Sequence, residues 1–226
     1  MRATLVTHDS IFGRHLASHL HSVGALDRLI VERRAAPLRF YWRKLQRVGP
    51  VNAVFQFWLN RHIRASASRV LPHVAMPRHE SVTSINECTF GDDELVIGFG
   101  TSIVSAATLA RAPHGILNLH TGWLPDYRGV KSEFWAVARG EREKIGWTLH
   151  YMTPRLDGGD IVLRHAIDAG GKDIGALRAQ IVIDAATKIA AFVAQVRRNG
   201  FASIPRCAQG KGQYFTTPTL RDFLSS

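Results

Sequence analysis

The run Leu95-Val96-Ile97-Gly98-Phe99-Gly100 constrains this chain more than any other segment. It carries no charged or hydrogen-bonding side chain and is short, which reads as a buried β-strand. Its two glycines let a ligand or a second backbone approach closely. Further strand candidates stand at residues 2–7, which alternate toward a short apolar strand, at Leu29-Ile30-Val31, at Ser81 to Ile85 and at Gly115 to His120. Helical periodicity fills Ile11 to Val23 and Ser105 to Ala110 between them. Strands alternating with helices predict an α/β fold, an open parallel sheet with helices on both faces. Further on, the pattern predicts a helix over Ser132 to Arg139, strands over Gly146 to Met152 and Asp160 to His165, and a long helix over Asp173 to Arg198. One α/β domain is therefore expected over 1–199, followed by an irregular C-terminal extension at 200–226.

With 226 residues and 46% apolar content, the chain has the size and composition of a globular domain with a full core. Cys88 and Cys207 lie far apart and match no zinc or redox spacing, so two reduced thiols are expected. The first ten residues lack a signal-peptide hydrophobic region and no run of 18 apolar residues occurs, which gives a cytoplasmic expectation. Most of the net charge of +11 comes from one stretch: Arg33 to His79 holds ten Lys/Arg residues and no Asp or Glu. There, at about 38–70, basic and aromatic residues interleave at helical spacing. This predicts an inserted helix or helix pair broken near Gly49-Pro50. Such a segment suits an anionic small substrate, an anionic membrane surface in peripheral contact, a nucleic acid, or plain packing of aromatics on the core.

The chemistry centres on Asn118-Leu119-His120 and on Asp157, 37 residues beyond the histidine in Arg155-Leu156-Asp157-Gly158-Gly159-Asp160. A neutral amide, an imidazole and a carboxylate together run acyl transfer without a metal or a covalent intermediate. The amide stabilises an oxyanion, the imidazole handles protons, and the carboxylate biases the charge around it. Asn118 and His120 end one predicted strand and Phe99-Gly100 ends its neighbour, where open α/β sheets bind ligands. Taken singly, each has a plain reading: a core histidine, a loop-capping amide, an ordinary turn aspartate.

These motifs, with Leu124-Pro125-Asp126-Tyr127-Arg128-Gly129, Trp135-Ala136, Gly140-Glu141, Gly146-Trp147-Thr148-Leu149-His150-Tyr151-Met152 and Leu156-Asp157-Gly158-Gly159-Asp160-Ile161, resemble the folate-dependent formyltransferase family from about Leu95 to Val162. The layout is most similar to the sugar N-formyltransferases. The resemblance implies a Rossmann-like, open, mostly parallel twisted sheet with helices on both faces, and 10-formyltetrahydrofolate as donor, with no metal. It also implies that Asn118, His120 and Asp157 are catalytic. Asp157 is expected to raise the His120 pKa, so that an imidazolium and the Asn118 amide share the oxyanion. The pterin is expected at Phe99, Gly100 and Ile103, and at Leu156 and Gly158 of the following turn. Where many family members carry Ser-Leu-Leu-Pro, this chain has Thr121-Gly122-Trp123-Leu124-Pro125, a changed lining for the same loop.

The resemblance implies a small amine acceptor, with a nucleotide-linked amino sugar favoured. About 28 residues follow the long helix, too few for the barrel-like domain of a methionyl-tRNA formyltransferase, so no nucleic acid is expected. The first turn holds a single glycine, weak for the phosphate loop of a glycinamide ribonucleotide enzyme. Trp123 and Tyr127 are expected as walls for the sugar, with Arg39 and Arg43 on the phosphates. A glycinamide ribonucleotide-type formyltransferase, a 10-formyltetrahydrofolate hydrolase with water as nucleophile, and a non-catalytic protein docking on membrane or partner stand as alternatives. Exposed aromatics at 38–63 or the tail around Tyr214 are candidate homodimer contacts.

Overall fold

The structure, a computed structural model, describes residues 1–33 and 45–225. Its elements run β1 (Arg2–His8), α1 (Ile11–Ser22), β2 (Arg28–Glu32), α2 (Pro50–Val70), β3 (Glu80–Val82), β4 (Glu94–Phe99), α3 (Ala106–Ala110), β5 (Ile116–His120) and β6 (Tyr127–Gly129). They continue with α4 (Ser132–Ala138), β7 (Gly146–Tyr151), β8 (Ile161–Ala166), α5 (Ile174–Asn199), β9 (Gln213–Phe215) and α6 (Leu220–Leu224). The main sheet has the order β3-β2-β1-β4-β5-β7-β8. All pairings from β3 to β5 are parallel, and β7 and β8 extend the sheet antiparallel. This is the expected Rossmann-like, mostly parallel sheet.

Side chains alternate across a strand, so one sequence feeds two core layers. Leu95, Ile97 and Phe99 of β4 join Leu117 and Leu119 of β5 under α1 and α5. Val96 and Ile116 turn to the opposite face, with Val6, Ile30, Ile85 and Phe90. The chain passes from β1 to β2 on one side and returns to β4 on the other. The crevice therefore opens at the carboxyl ends of β1 and β4.

Helix α2 begins after Gly49, whose φ of 77° is one that glycine tolerates best, with Pro50 in the first turn. The break expected at Gly49-Pro50 is present, and residues 45–48 form a separate helical turn before it. Phe55, Leu59, Ile63 and Ala67, each one turn apart, make its buried stripe. Asp173 caps α5 by accepting from the Gly175 and Ala176 amides and also accepts from Ser66 Oγ of α2. A β-carbon on Gly175 would press on the Ile63 carbonyl at 2.5 Å, so that glycine sets the close α2–α5 approach. Although α5 is long and apolar enough to span a bilayer by length and composition, Leu177, Ile181, Ala185, Ile189 and Val193 are buried in the core.

The tail is not featureless. Strand β9 pairs parallel with β6, and Thr219 and Asp222 form a capping box for α6. A three-residue strand has too few alternations for periodicity to reveal it.

Candidate active site

Register brings the polar residues together. Gly98 of β4 lies opposite Asn118 of β5, and Asn118 lies opposite His150 of β7. Asn118 and His120 continue the face of Ile116, where an apolar residue would otherwise pack. The His150 Nδ1–H donates to the Tyr151 carbonyl at 2.9 Å, which leaves Nε2 with its lone pair. Asn118 Nδ2 donates to that lone pair at 3.1 Å. The amide is thus oriented, with a second N–H still available to a ligand.

His120 is 8% exposed. Its Nε2–H donates to the Tyr127 carbonyl at 2.8 Å, and Ser132 Oγ donates to the same oxygen at 3.2 Å. His120 Nδ1 faces Asp157 Oδ1 at 3.9 Å. Gly122 is required by this packing, because a β-carbon there would fall 2.5 Å from both His120 Nε2 and Ser132 Oγ.

Asp157 stands in the turn after β7 with φ 50°, a left-handed conformation that aspartate tolerates better than most residues. Its Oδ2 accepts from the Gly129 amide at 2.8 Å, and its carbonyl accepts from Arg128 Nε at 3.2 Å. The buried Arg128 guanidinium also donates to Gln209 Oε1 at 3.0 Å and to the Gly210 carbonyl at 3.1 Å. One arginine therefore ties the acidic turn to the C-terminal tail.

Burial pushes the His120 pKa down, and the attraction of Asp157 offsets this only in part. The expected upward shift is corrected here: Asp157 acts in the expected sense, but desolvation of the ring is larger. His120 is neutral at rest. Burial pushes Asp157 up, yet the two neighbouring imidazoles of His150 and His120 and the Gly129 amide together hold it below the ordinary carboxylate range.

Asn118, His120, His150 and Asp157 line one cavity of about 690 Å³, together with Phe99, Gly100, Ile103 and Leu156. Ile103 is 86% and Leu156 52% exposed, so two apolar side chains flank the opening. Gly158 does not line the cavity; it closes the turn by donating to the Arg155 carbonyl at 3.2 Å. Trp123 is also off the cavity, packed on the core with the Arg164 guanidinium 4.2 Å above its ring. The Tyr127 ring is buried against Phe215, so its contribution is a backbone carbonyl and not a sugar wall. Arg39 and Arg43 lie outside the described residues.

Several cavity-lining positions were not singled out by sequence reasoning. His150 is one, although a histidine in a strand buried along its whole length was a signal. Arg64 of α2, Lys131 and Arg178 also reach the cavity. Lys131 has φ 60° and donates to Asn60 Oδ1 of α2 at 2.8 Å, while Arg178 pairs with buried Glu133 at 2.9 Å. Nothing local in the sequence marks these three, since α2 and α5 meet the loops only in the fold.

Residues 83–183 match the formyl transferase family. That segment contains Asn118, His120, His150 and Asp157, so the resemblance carried by the motifs holds. The methionyl-tRNA formyltransferase of Anaeromyxobacter dehalogenans is 43% identical over 81 residues, covering 36% of this chain and 26% of that protein. The chain thus matches about a quarter of that relative's length. Among solved structures, the N-formyltransferase from Helicobacter canadensis in complex with folinic acid and dTDP-3-aminofucose has a TM-score of 0.61 at 13% identity. It aligns with 98% of this chain and 72% of its own. A 4-N formyltransferase from Francisella tularensis gives 0.58 at 12% identity, covering 98% of this chain and 78% of that one. At these identities the likeness is one of fold.

Proposed function

We propose that this formyl transferase moves a formyl group from 10-formyltetrahydrofolate to a primary amine of a small anionic acceptor, a nucleotide-linked amino sugar. The observation that carries the reading is the convergence of Asn118, His120 and Asp157 on one cavity with apolar Ile103 and Leu156 beside it. A flat heterocycle fits an apolar slot edged by backbone and a few polar groups.

The amine nitrogen attacks the formyl carbon, and the electron pair of the carbonyl moves onto its oxygen. The remaining Asn118 N–H donates to that oxyanion, an effect commonly worth about 3–4 kcal/mol per preorganised donor. His120, neutral and with its Nε2–H committed to Tyr127, takes the amine proton on Nδ1. Asp157 steadies the imidazolium that results. The oxyanion pair then re-forms the carbonyl while the bond from the formyl carbon to folate N10 breaks; N10 takes the bonding pair and His120 returns the proton to it. Product amide and tetrahydrofolate balance the step.

The basic surroundings support an anionic acceptor, with Arg64, Lys131 and Arg178 on the cavity. The nucleotide-linked sugar in the Helicobacter structure supports this acceptor class, whereas the sequence relatives act on methionyl-tRNA. The test is incubation with 10-formyltetrahydrofolate and a panel of nucleotide-linked amino sugars, read by mass spectrometry for gain of one formyl group. Formate release without any amine would instead identify a hydrolase. Transfer to methionyl-tRNA alone would overturn the acceptor assignment.

A further inference from the structure

We propose that a second groove, walled by α2, is a nucleoside diphosphate site, with Arg61 and Arg64 on the phosphates and the Phe57 ring against the base. This deepens the acceptor reading above and rests on it for its biological meaning, though not for its test. The groove has a volume of about 1,150 Å³ and shares Ser10, Asn60 and Arg64 with the catalytic cavity. The two cavities therefore adjoin.

Of the three arginines on this groove, two have no ion-pair partner among the described residues, and the one carboxylate on its wall, Asp9, is taken up by the third. Arg14, also on its wall, is held by Asp9 through contacts of 2.5 and 2.9 Å. Arg61 and Arg64 are exposed and make no ion pair among the described residues. No Asp or Glu occurs anywhere from Arg33 to His79, so no neighbour in sequence can supply one. At i and i+3 the two arginines lie on one side of the helix, about 5–6 Å apart at Cβ, and repel one another unless an anion sits between them. Two linked phosphates match that spacing and charge.

Phe57 is 70% exposed on the same groove, so its ring is open to a ligand lying there. A nucleobase offers a flat face for it. The wall also has Ser68, Asn60 and Ser10, polar groups that suit a ribose and phosphates better than acyl chains. A concave, partly polar groove joined to the reaction cavity favours a nucleotide over a membrane, which would meet a convex apolar face.

Isothermal titration of the full chain with UDP and with inorganic pyrophosphate tests this without any transfer reaction. Arg61→Ser and Arg64→Ser are each expected to weaken both probes about tenfold or more. Phe57→Ala is expected to weaken UDP about tenfold and leave pyrophosphate unchanged. Tetrahydrofolate binding stays as in the parent for Arg61→Ser and Phe57→Ala, whose side chains lie off the catalytic cavity, and the far-UV spectrum stays so for all three. UDP affinity indifferent to both arginines, or displacement of UDP by tetrahydrofolate, would overturn the site. So would sedimentation with phosphatidylserine vesicles in a chain that binds neither probe. Loss of formyl transfer to every amine, with arginine-dependent UDP binding intact, would sink the proposed reaction and leave this site standing.

Discussion

His120 donates its Nε2 proton to the Tyr127 carbonyl at 2.8 Å, and its Nδ1 is thereby left facing the Asp157 carboxylate at 3.9 Å. One backbone carbonyl thus decides which nitrogen of the ring is available for proton transfer. Burial keeps that nitrogen unprotonated in the resting protein.

Transfer should gain rate as pH rises through the His120 pKa and level off by neutral pH. The base must be neutral, and burial sets its pKa below the ordinary value of about 6.5. A kcat/KM profile with an acid limb centred at or above that value would contradict the assignment. The same shift has a stability consequence: below about pH 6.5 the unfolded chain binds a proton that the folded chain refuses, so stability falls with pH there. His120→Asn should flatten that slope in chemical denaturation.

Asp157→Asn should lower kcat about 100-fold or more while changing the melting temperature little. The amide carbonyl can still accept from Gly129, and asparagine tolerates the left-handed backbone. Because Asp157 raises the His120 pKa against burial, its loss should move the acid limb to lower pH. An unmoved limb would mean that the two groups do not act together.

Asn118→Ala should cost about 100- to 1,000-fold in kcat with tetrahydrofolate affinity nearly unchanged, the signature of a donor used mainly in the transition state. His150→Leu removes the acceptor that orients this amide and should cost less, about tenfold. Equal losses in the two variants would place His150 in direct contact with the reacting atoms.

Gly129→Ala should destabilise the fold by about 3 kcal/mol or more. Its φ is 97°, and a β-carbon there would overlap the Phe215 carbonyl oxygen of β9. Thermal unfolding and protection of the tail amides from hydrogen exchange would both report the loss. A variant as stable as the parent would show that the β6–β9 contact contributes little.

The alternation of strands and helices, the polar pair ending β5 and the glycine-rich turn after β7 were legible in the sequence, because periodicity and turn chemistry are local. Those features led to the sheet, the crevice and the three polar residues on it. Only the tertiary structure decided that Tyr127 serves through its carbonyl, that Trp123 packs away from the cavity, and that His150 holds Asn118. Each depends on register or contact between residues distant in the chain, which no local pattern encodes. The charge state of His120 belongs to the same class. Sequence places a carboxylate near an imidazole, but how much water the surrounding fold removes from the ring determines which effect wins.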